Sequence, residues 1–166
     1  FEARNILSSV VDEQIIGYRA PALNISDDVF LILQELGFTY DSSISYQRAL
    51  KLSTVELKFL PVNSFRIFGK DFYWSGGAYL RIMPLVMLKM LTRLTRKPLL
   101  IWLHPFELAQ EVPDELHRLS MKDRLRMNLL RKNNSIKVTK FIQFLLSDNY
   151  DFVKSKDIVH DINCRR

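Results

Sequence analysis

The chain has 166 residues, of which 48% are hydrophobic and 25% charged, and this composition excludes an intrinsically disordered segment because enough apolar surface is present to form a core. Its one cysteine, Cys164, excludes a disulfide framework and a thiolate metal site built from this chain alone. The formal net charge of +6 leaves two interpretations open, which are basic helical faces exposed to solvent or a surface that binds nucleic acid or anionic lipid.

The distribution of the basic residues favours exposed helical faces. Lys89, Arg93 and Arg96 lie on the polar side of one apolar helix, and the basic stretch 122–132 also contains an aspartate. Charge runs of this kind usually face solvent, so we expect no nucleic-acid partner. The most apolar segment, 80–94, is interrupted by charged residues and by Pro84, so we expect no membrane span. The start, Phe1-Glu2-Ala3-Arg4, has no signal-peptide layout, and we expect the sequence to begin inside a longer protein.

The first part of the chain predicts a helix, a short strand and a second helix. Residues 5–11 finish a helix, and 14–19 form a short apolar strand punctuated by Gly17. Ser26 is placed to cap a second helix whose first turn carries Asp27 and Asp28. Apolar residues then recur at helical spacing as far as Gly37, which favours a C-terminal cap.

The central part predicts further strands. Residues 38–40 form a brief β segment that ends at the polar triplet 41–43, so strand, helix and strand together indicate a parallel unit. Segment 55–62 is strand-like, and 65–73 predicts a β-rich insertion that ends at Gly76-Gly77.

The last part predicts a helix from Pro84 to about Arg96, and then a strand over 98–103 that is buried on both faces. Two more helices are predicted over 120–132 and 135–146.

Three chemically useful side chains fall where the predicted strands end. They are Arg19, Asp41 and His104. Reactive groups of parallel α/β proteins gather at the carboxyl ends of the strands, so these residues are candidates for one site. Structural alternatives remain open for each, namely an ordinary ion pair for the arginine, a turn-forming role for the aspartate and a backbone-bonded role for the histidine.

Four segments in register carry a resemblance to a known family. They are 17–21 (GYRAP), 35–44 (ELGFTYDSSI), 75–81 (SGGAYLR) and 103–108 (LHPFEL), followed by a similar tail at 128–134 and 148–152. In this order the chain resembles the polysaccharide deacetylases, metal-dependent de-N-acetylases of the carbohydrate esterase type, and in particular the bacterial subgroup associated with exopolysaccharide loci.

The resemblance implies an α/β fold that is the C-terminal portion of a distorted parallel (β/α) barrel, incomplete at the N-terminus. Residues 1–166 would form a single domain, with barrel strands and helices to about 110 and a helical extension over 111–166. The implied reaction is hydrolysis of N-acetyl groups, and the implied partner is an N-acetylated glycan. A bacterial cytoplasmic location is expected, consistent with the lone thiol.

The resemblance also assigns roles to residues of this chain. His104 would protonate the departing amine, Leu103 would line the pocket for the acetyl methyl group, and Arg19 would orient the aspartate that acts as general base. The implied substrate-binding residues also include Tyr18, Pro21, Asp41 and Tyr79. At the position of Leu23 the subgroup usually has an aromatic residue. Because of this departure, the resemblance does not determine which residues form the pocket wall there.

The family cofactor is a divalent metal, with zinc as the expected ion. Its ligands are an Asp-Asp pair and a His-x-x-x-His segment, whereas the chain has three histidines without that spacing, and its Asp27-Asp28 pair opens a helix. We therefore predict no metal ligand here, expect both motifs upstream, and expect the isolated segment to be inactive. The alternative is a degenerate deacetylase or glycan-binding fragment without catalysis; the oligomeric state stays open.

Overall fold

The computed structural model describes residues 2–52, 55–95, 98–104, 108, 120–122 and 134–164. The chain divides into two compact units, the first formed by Phe1–Ser64 with Val153–Arg166 and the second by Phe65–Phe152. Most of the predicted helix 120–132 lies outside the described residues, as do residues 105–107 of the LHPFEL segment.

Helices and short strands alternate along the described chain. In order they are α1 (Glu2–Val11), β1 (Gly17–Tyr18), a 3-10 turn (Pro21–Leu23), α2 (Asp28–Glu35), β2 (Tyr40–Asp41), α3 (Tyr46–Ala49), β3 (Lys58–Phe59), β4 (Ser64–Ile67), β5 (Lys70–Tyr73), α4 (Gly77–Ile82), α5 (Leu85–Leu94), α6 (Asn134–Ser147) and α7 (Ser155–Cys164). None of the helices within the described ranges combines the length and apolar character that crossing a membrane requires.

A parallel three-stranded sheet of order β1-β2-β3 forms the centre of the first unit. Gly17 pairs with Tyr40 and Tyr18 with Asp41, and β2 pairs in parallel with β3. This confirms the predicted parallel unit and a mixed α/β fold. The barrel stays a prediction, as does the division into a barrel and a helical extension.

Helix α2 shows how local sequence fixes one of these elements. Its N-cap is Asp27, one residue later than the predicted Ser26, whose hydroxyl instead bonds to Asp28 and lowers the pKa of that carboxyl. At the other end Gly37 has φ +77°, and the Phe38 N–H donates to Leu33 O at 3.0 Å. This is the Schellman arrangement, which confirms the predicted glycine cap.

Aromatic and aliphatic side chains fill the space between α2 and the sheet. Phe30 is fully buried on α2 and meets Phe59 of β3 edge to face, with ring centroids 5.2 Å apart. The core of this unit also contains Ala20, Ile25, Leu33, Ile44 and Leu57. Packing of α2 against the strands therefore holds the carboxyl ends of β1 and β2 in place.

The second unit has its own core and contains the predicted β-rich insertion as the β4–β5 hairpin. Its buried residues are Trp74, Leu80, Met83, Leu88, Val138, Phe141, Phe144 and Leu145. Helix α6 supplies the last four of them, which confirms the helix predicted over 135–146.

The strand predicted over 98–103 is wrong in extent. The only pairing in this stretch of the described chain is a single parallel bridge between Trp102 and Gly76. Leu99, Ile101 and Leu103 pack against the core of the second unit. The side chains of the apolar run thus contribute to this core, and the pairing found for it within the described residues is at Trp102, a difference from the prediction that hydrophobic pattern alone does not reveal.

Candidate functional site

A cleft of about 270 Å³ opens at the carboxyl ends of β1 and β2 in the first unit. Both strands supply part of its wall, and Ser155, the first residue of α7, supplies another part. Its lining residues are Gly17, Tyr18, Arg19, Tyr40, Ser42 and Ser155. The parallel order of the sheet brings these strand ends to one edge, as the sequence predicted for Arg19.

The Arg19 side chain is fixed in this cleft by Ser42. Its Nε donates to Ser42 O at 2.9 Å, and its Nη2 donates to Ser42 Oγ at 2.8 Å. Burial lowers the pKa of the guanidinium, while the charges of Asp41 and Tyr40 raise it. An arginine remains charged at neutral pH, so the cleft wall carries a positioned cation.

The neighbouring Asp41 is fully buried and orders the loop after β2. Its carboxylate accepts from the Ser43 N–H and the Ser43 Oγ, both at 2.7 Å. The Ser43 hydroxyl in turn accepts from the Ala20 N–H at 2.8 Å, which ties the end of β1 to this loop. Asp41 thus has the geometry of the turn-forming role that the sequence left open. A contact between Asp41 and substrate stays a prediction.

Burial dominates the electrostatics of Asp41. It raises the pKa of the carboxyl, and the bonds from Ser43 and the charges of Arg19 and Arg48 counteract it only in part. A carboxyl whose pKa is raised on folding favours the folded state below its unfolded pKa. That contribution is lost as the pH rises through the folded pKa.

Asp41→Asn is therefore expected to increase in stability relative to the parent chain as the pH rises from about 3 to 7, because the amide has no charge to desolvate while its Oδ1 still accepts from Ser43. Denaturant midpoints measured across this pH range test the expectation. Asp151→Asn, at an exposed position, is the control for the introduction of an amide. Parallel curves for Asp41→Asn and the parent would contradict the raised pKa.

Tyr40 reaches the cleft because Gly17 has no side chain. The two residues are direct partners in the sheet register, and a Cβ built on Gly17 would overlap the Tyr40 ring. The ring therefore lies over the β1 backbone and forms one wall of the cleft. Gly17 is needed for close approach here.

The histidine motif lies in the second unit, on the segment that follows the Trp102 bridge. The Trp102 indole packs against Gly76 and Gly77, where an added Cβ on Gly76 would overlap it. Leu103 is half-buried against the core, and His104 is exposed. Gly76-Gly77 thus makes room for Trp102, which is the local anchor of the His104 segment.

The remaining predicted residues have clear positions. Pro21 is exposed and opens the 3-10 turn after β1, where Ala22 and Leu23 both have positive φ. Tyr79 is half-buried on α4 and meets Phe72 edge to face at 6.1 Å. Their roles in substrate binding stay predictions.

The structure thus groups Tyr18 and Arg19 in one cleft, with Asp41 behind them, and places Leu103 and His104 on an anchored segment of the other unit. Sequence reasoning missed three cleft residues, which are Tyr40, Ser42 and Ser155. Gly17 opposite an aromatic in the strand register was the available signal for Tyr40, whereas Ser155 gave none.

In the described part of the chain, no group of three or more His, Cys, Asp or Glu side chains is placed to hold a metal ion.

The sequence matches a protein family. A family model described as a domain of unknown function (DUF3473) matches residues 39–160, well over half of the chain. No curated protein and no solved structure matches it. The matched range includes Asp41, Tyr79, Leu103 and His104 and begins after Arg19.

Proposed function

Because the chain belongs to the DUF3473 family, whose function is unknown, we propose an activity on the basis of its residues. In this proposal the chain is the C-terminal part of a polysaccharide deacetylase that hydrolyses N-acetyl groups from a glycan. The enzyme acts in the bacterial cytoplasm. The observation that carries the proposal is the positioned Arg19 cation in a cleft at the carboxyl edge of a parallel sheet. The complete fold would be a distorted parallel barrel.

Arg19 is suited to hold a catalytic carboxylate. Its two hydrogen bonds to Ser42 fix the plane of the guanidinium, and a planar cation keeps a facing carboxylate ionised and oriented. Arg19 is thus a positioning residue for a general base that a longer chain would supply. Tyr18 and Tyr40 offer ring surfaces on the same cleft wall for a sugar.

His104 is suited to proton transfer because its side chain is exposed while the residues before it are anchored. In the proposed reaction the amide C–N bond breaks, the oxygen of water becomes part of acetate, and His104 gives its proton to the departing nitrogen. An imidazole can hold and release a proton near neutral pH, which suits this step. Leu103 would line the space for the acetyl methyl group.

The polysaccharide deacetylases use a divalent ion, for which we propose zinc. The described residues of this chain offer no group of three or more His, Cys, Asp or Glu side chains to hold it. Its ligands would lie in a longer protein.

The second candidate is a degenerate deacetylase that binds an N-acetylated glycan without cleaving it. The two candidates differ in one measurable quantity, which is acetate release.

Acetate release from N-acetylated oligosaccharides tests the proposal. We expect the longer gene product, supplied with zinc, to release acetate and to expose free amines in equal amounts, and the 166-residue chain alone to release none. Retention on immobilised glycan without any acetate from the longer product would refute the deacetylase and support the binding module. If the longer product neither releases acetate nor is retained on glycan, both candidates are refuted.

A further inference from the structure

The tip of the β4–β5 hairpin presents an aromatic side chain entirely to solvent. Strand β4 ends at Ile67 and β5 begins at Lys70, so the loop consists of Phe68 and Gly69. Phe68 is 100% exposed and Ile67 is 44% exposed. Single exposed apolar residues are common, but a phenylalanine without any covering neighbour leaves its whole ring in water.

This exposure coincides with a strained backbone. Phe68 has φ +47° and Gly69 has φ +77°, so both residues of the loop have the positive φ that a type I′ turn requires. Asparagine followed by glycine is the preferred sequence for this turn, and a bulky side chain in the left-handed region is unfavourable. A fully exposed phenylalanine therefore weakens the turn without any packing that offsets the cost, which points to a role outside the fold.

The turn is held firmly by Arg66. Its Nε and Nη2 both donate to Gly69 O, at 3.2 and 3.1 Å, and its Nε lies 4.0 Å from Asp71 Oδ1. The fork of the guanidinium thus closes the loop across its base. The backbone of the tip is thus held at its base, so little backbone freedom is lost when a partner buries the ring.

The charges beside the ring identify the kind of partner. Residues 66–70 are all exposed and include two basic residues, Arg66 and Lys70, while the mostly buried Asp71 carboxylate beside Arg66 leaves a net charge of +1 at the tip. A convex apolar tip flanked by cations matches a lipid surface, where the ring enters the acyl boundary and the cations remain at the level of anionic headgroups. A glycan or a nucleic-acid base would use the ring as a flat stacking platform instead.

We propose that the Phe68 tip anchors the protein peripherally to an anionic lipid surface. Phe68 and Ile67 supply the inserted apolar surface, and Arg66 and Lys70 supply the electrostatic attraction. The attraction between exposed charges is screened by salt, so binding is expected to weaken as ionic strength rises.

Vesicle flotation of the 166-residue chain tests the proposal. Binding is expected to vesicles of mixed phosphatidylglycerol and phosphatidylcholine, and not to phosphatidylcholine alone. Phe68→Asn is expected to weaken this binding by about tenfold or more, since a buried ring is lost. The same variant should melt at an equal or higher temperature, because asparagine suits the positive φ.

Two further variants separate the apolar and electrostatic contributions. Lys70→Ala should weaken vesicle binding by about fivefold at low salt and have little effect at high salt. Phe152, which is 58% exposed, gives the matched control, and Phe152→Asn should bind as the parent chain does. Equal binding by Phe68→Asn and the parent, or no vesicle binding by the parent, would overturn the proposal. Phe68-dependent retention of single-stranded DNA or N-acetylated glycan in place of vesicles would also overturn it.

Discussion

On the proposed function, His104→Gln in the longer gene product is expected to slow acetate release by about 100- to 10 000-fold, because glutamine fills a similar space but cannot give a proton to the departing amine. The fall should appear in kcat, with KM nearly unchanged, since the proton is transferred in the transition state. Initial rates over a series of glycan concentrations provide both constants.

The fold should tolerate this substitution. His104 is exposed, and Leu103 and Trp102 before it anchor the segment, so only a small change in melting temperature is expected. His117→Gln is the matched control, because the resemblance assigns no role to that histidine. Full turnover by His104→Gln would remove the histidine from the mechanism, and equal losses in both variants would point to a general effect of histidine replacement.

Local interactions made part of the fold predictable from the sequence. The C-terminal end of α2 follows from Gly37, because a residue with φ +77° at that position is most easily a glycine and the following backbone bonds close the helix. The β-rich insertion predicted over 65–73 is likewise a local element, the β4–β5 hairpin, whose turn at Phe68-Gly69 was not predicted. In both cases the partners lie within a short stretch of chain.

Non-local packing decided the elements that the sequence did not reveal. The apolar run at 98–103 has the composition of a buried strand, but a strand needs a paired backbone, and within the described residues the bridge found for this run joins Trp102 to Gly76. The pattern of the run carries no information about that partner. The same run therefore contributes side chains to a core, and its one bridge is at Trp102.

The cleft shows the same limit. Arg19 and Asp41 could be grouped in advance because each lies where a strand of one parallel sheet ends, whereas the grouping of His104 with them stays a prediction. Ser155 comes from the far end of the chain and reaches the cleft as the first residue of α7. Ser42 was visible in sequence as a loop residue, but its bonds to Arg19 depend on the register between β1 and β2.

Gly76→Ala is expected to reduce acetate release by the longer protein by about 100-fold, because it displaces the segment that carries His104 without altering the histidine itself. Gly76 has φ near 180°, which any residue adopts, so the effect is steric. An added Cβ would lie 2.5 Å from Trp102 O and would overlap the indole, so the backbone of Trp102 must shift. Misplacement of a catalytic group by about 1 Å is enough for a loss of this size.

The same substitution should destabilise the fold by about 1–3 kcal/mol, as overpacking of a filled site does. Gly69→Ala is the matched control, since its Cβ would meet nothing within 4 Å and only its φ of +77° opposes the change. That variant should lose about 1 kcal/mol of stability from the left-handed backbone and retain full acetate release. Chemical denaturation of both variants measures the loss of stability, and initial rates measure the effect of displacing His104. A parental rate in Gly76→Ala would mean that His104 does not depend on the Trp102 bridge for its position.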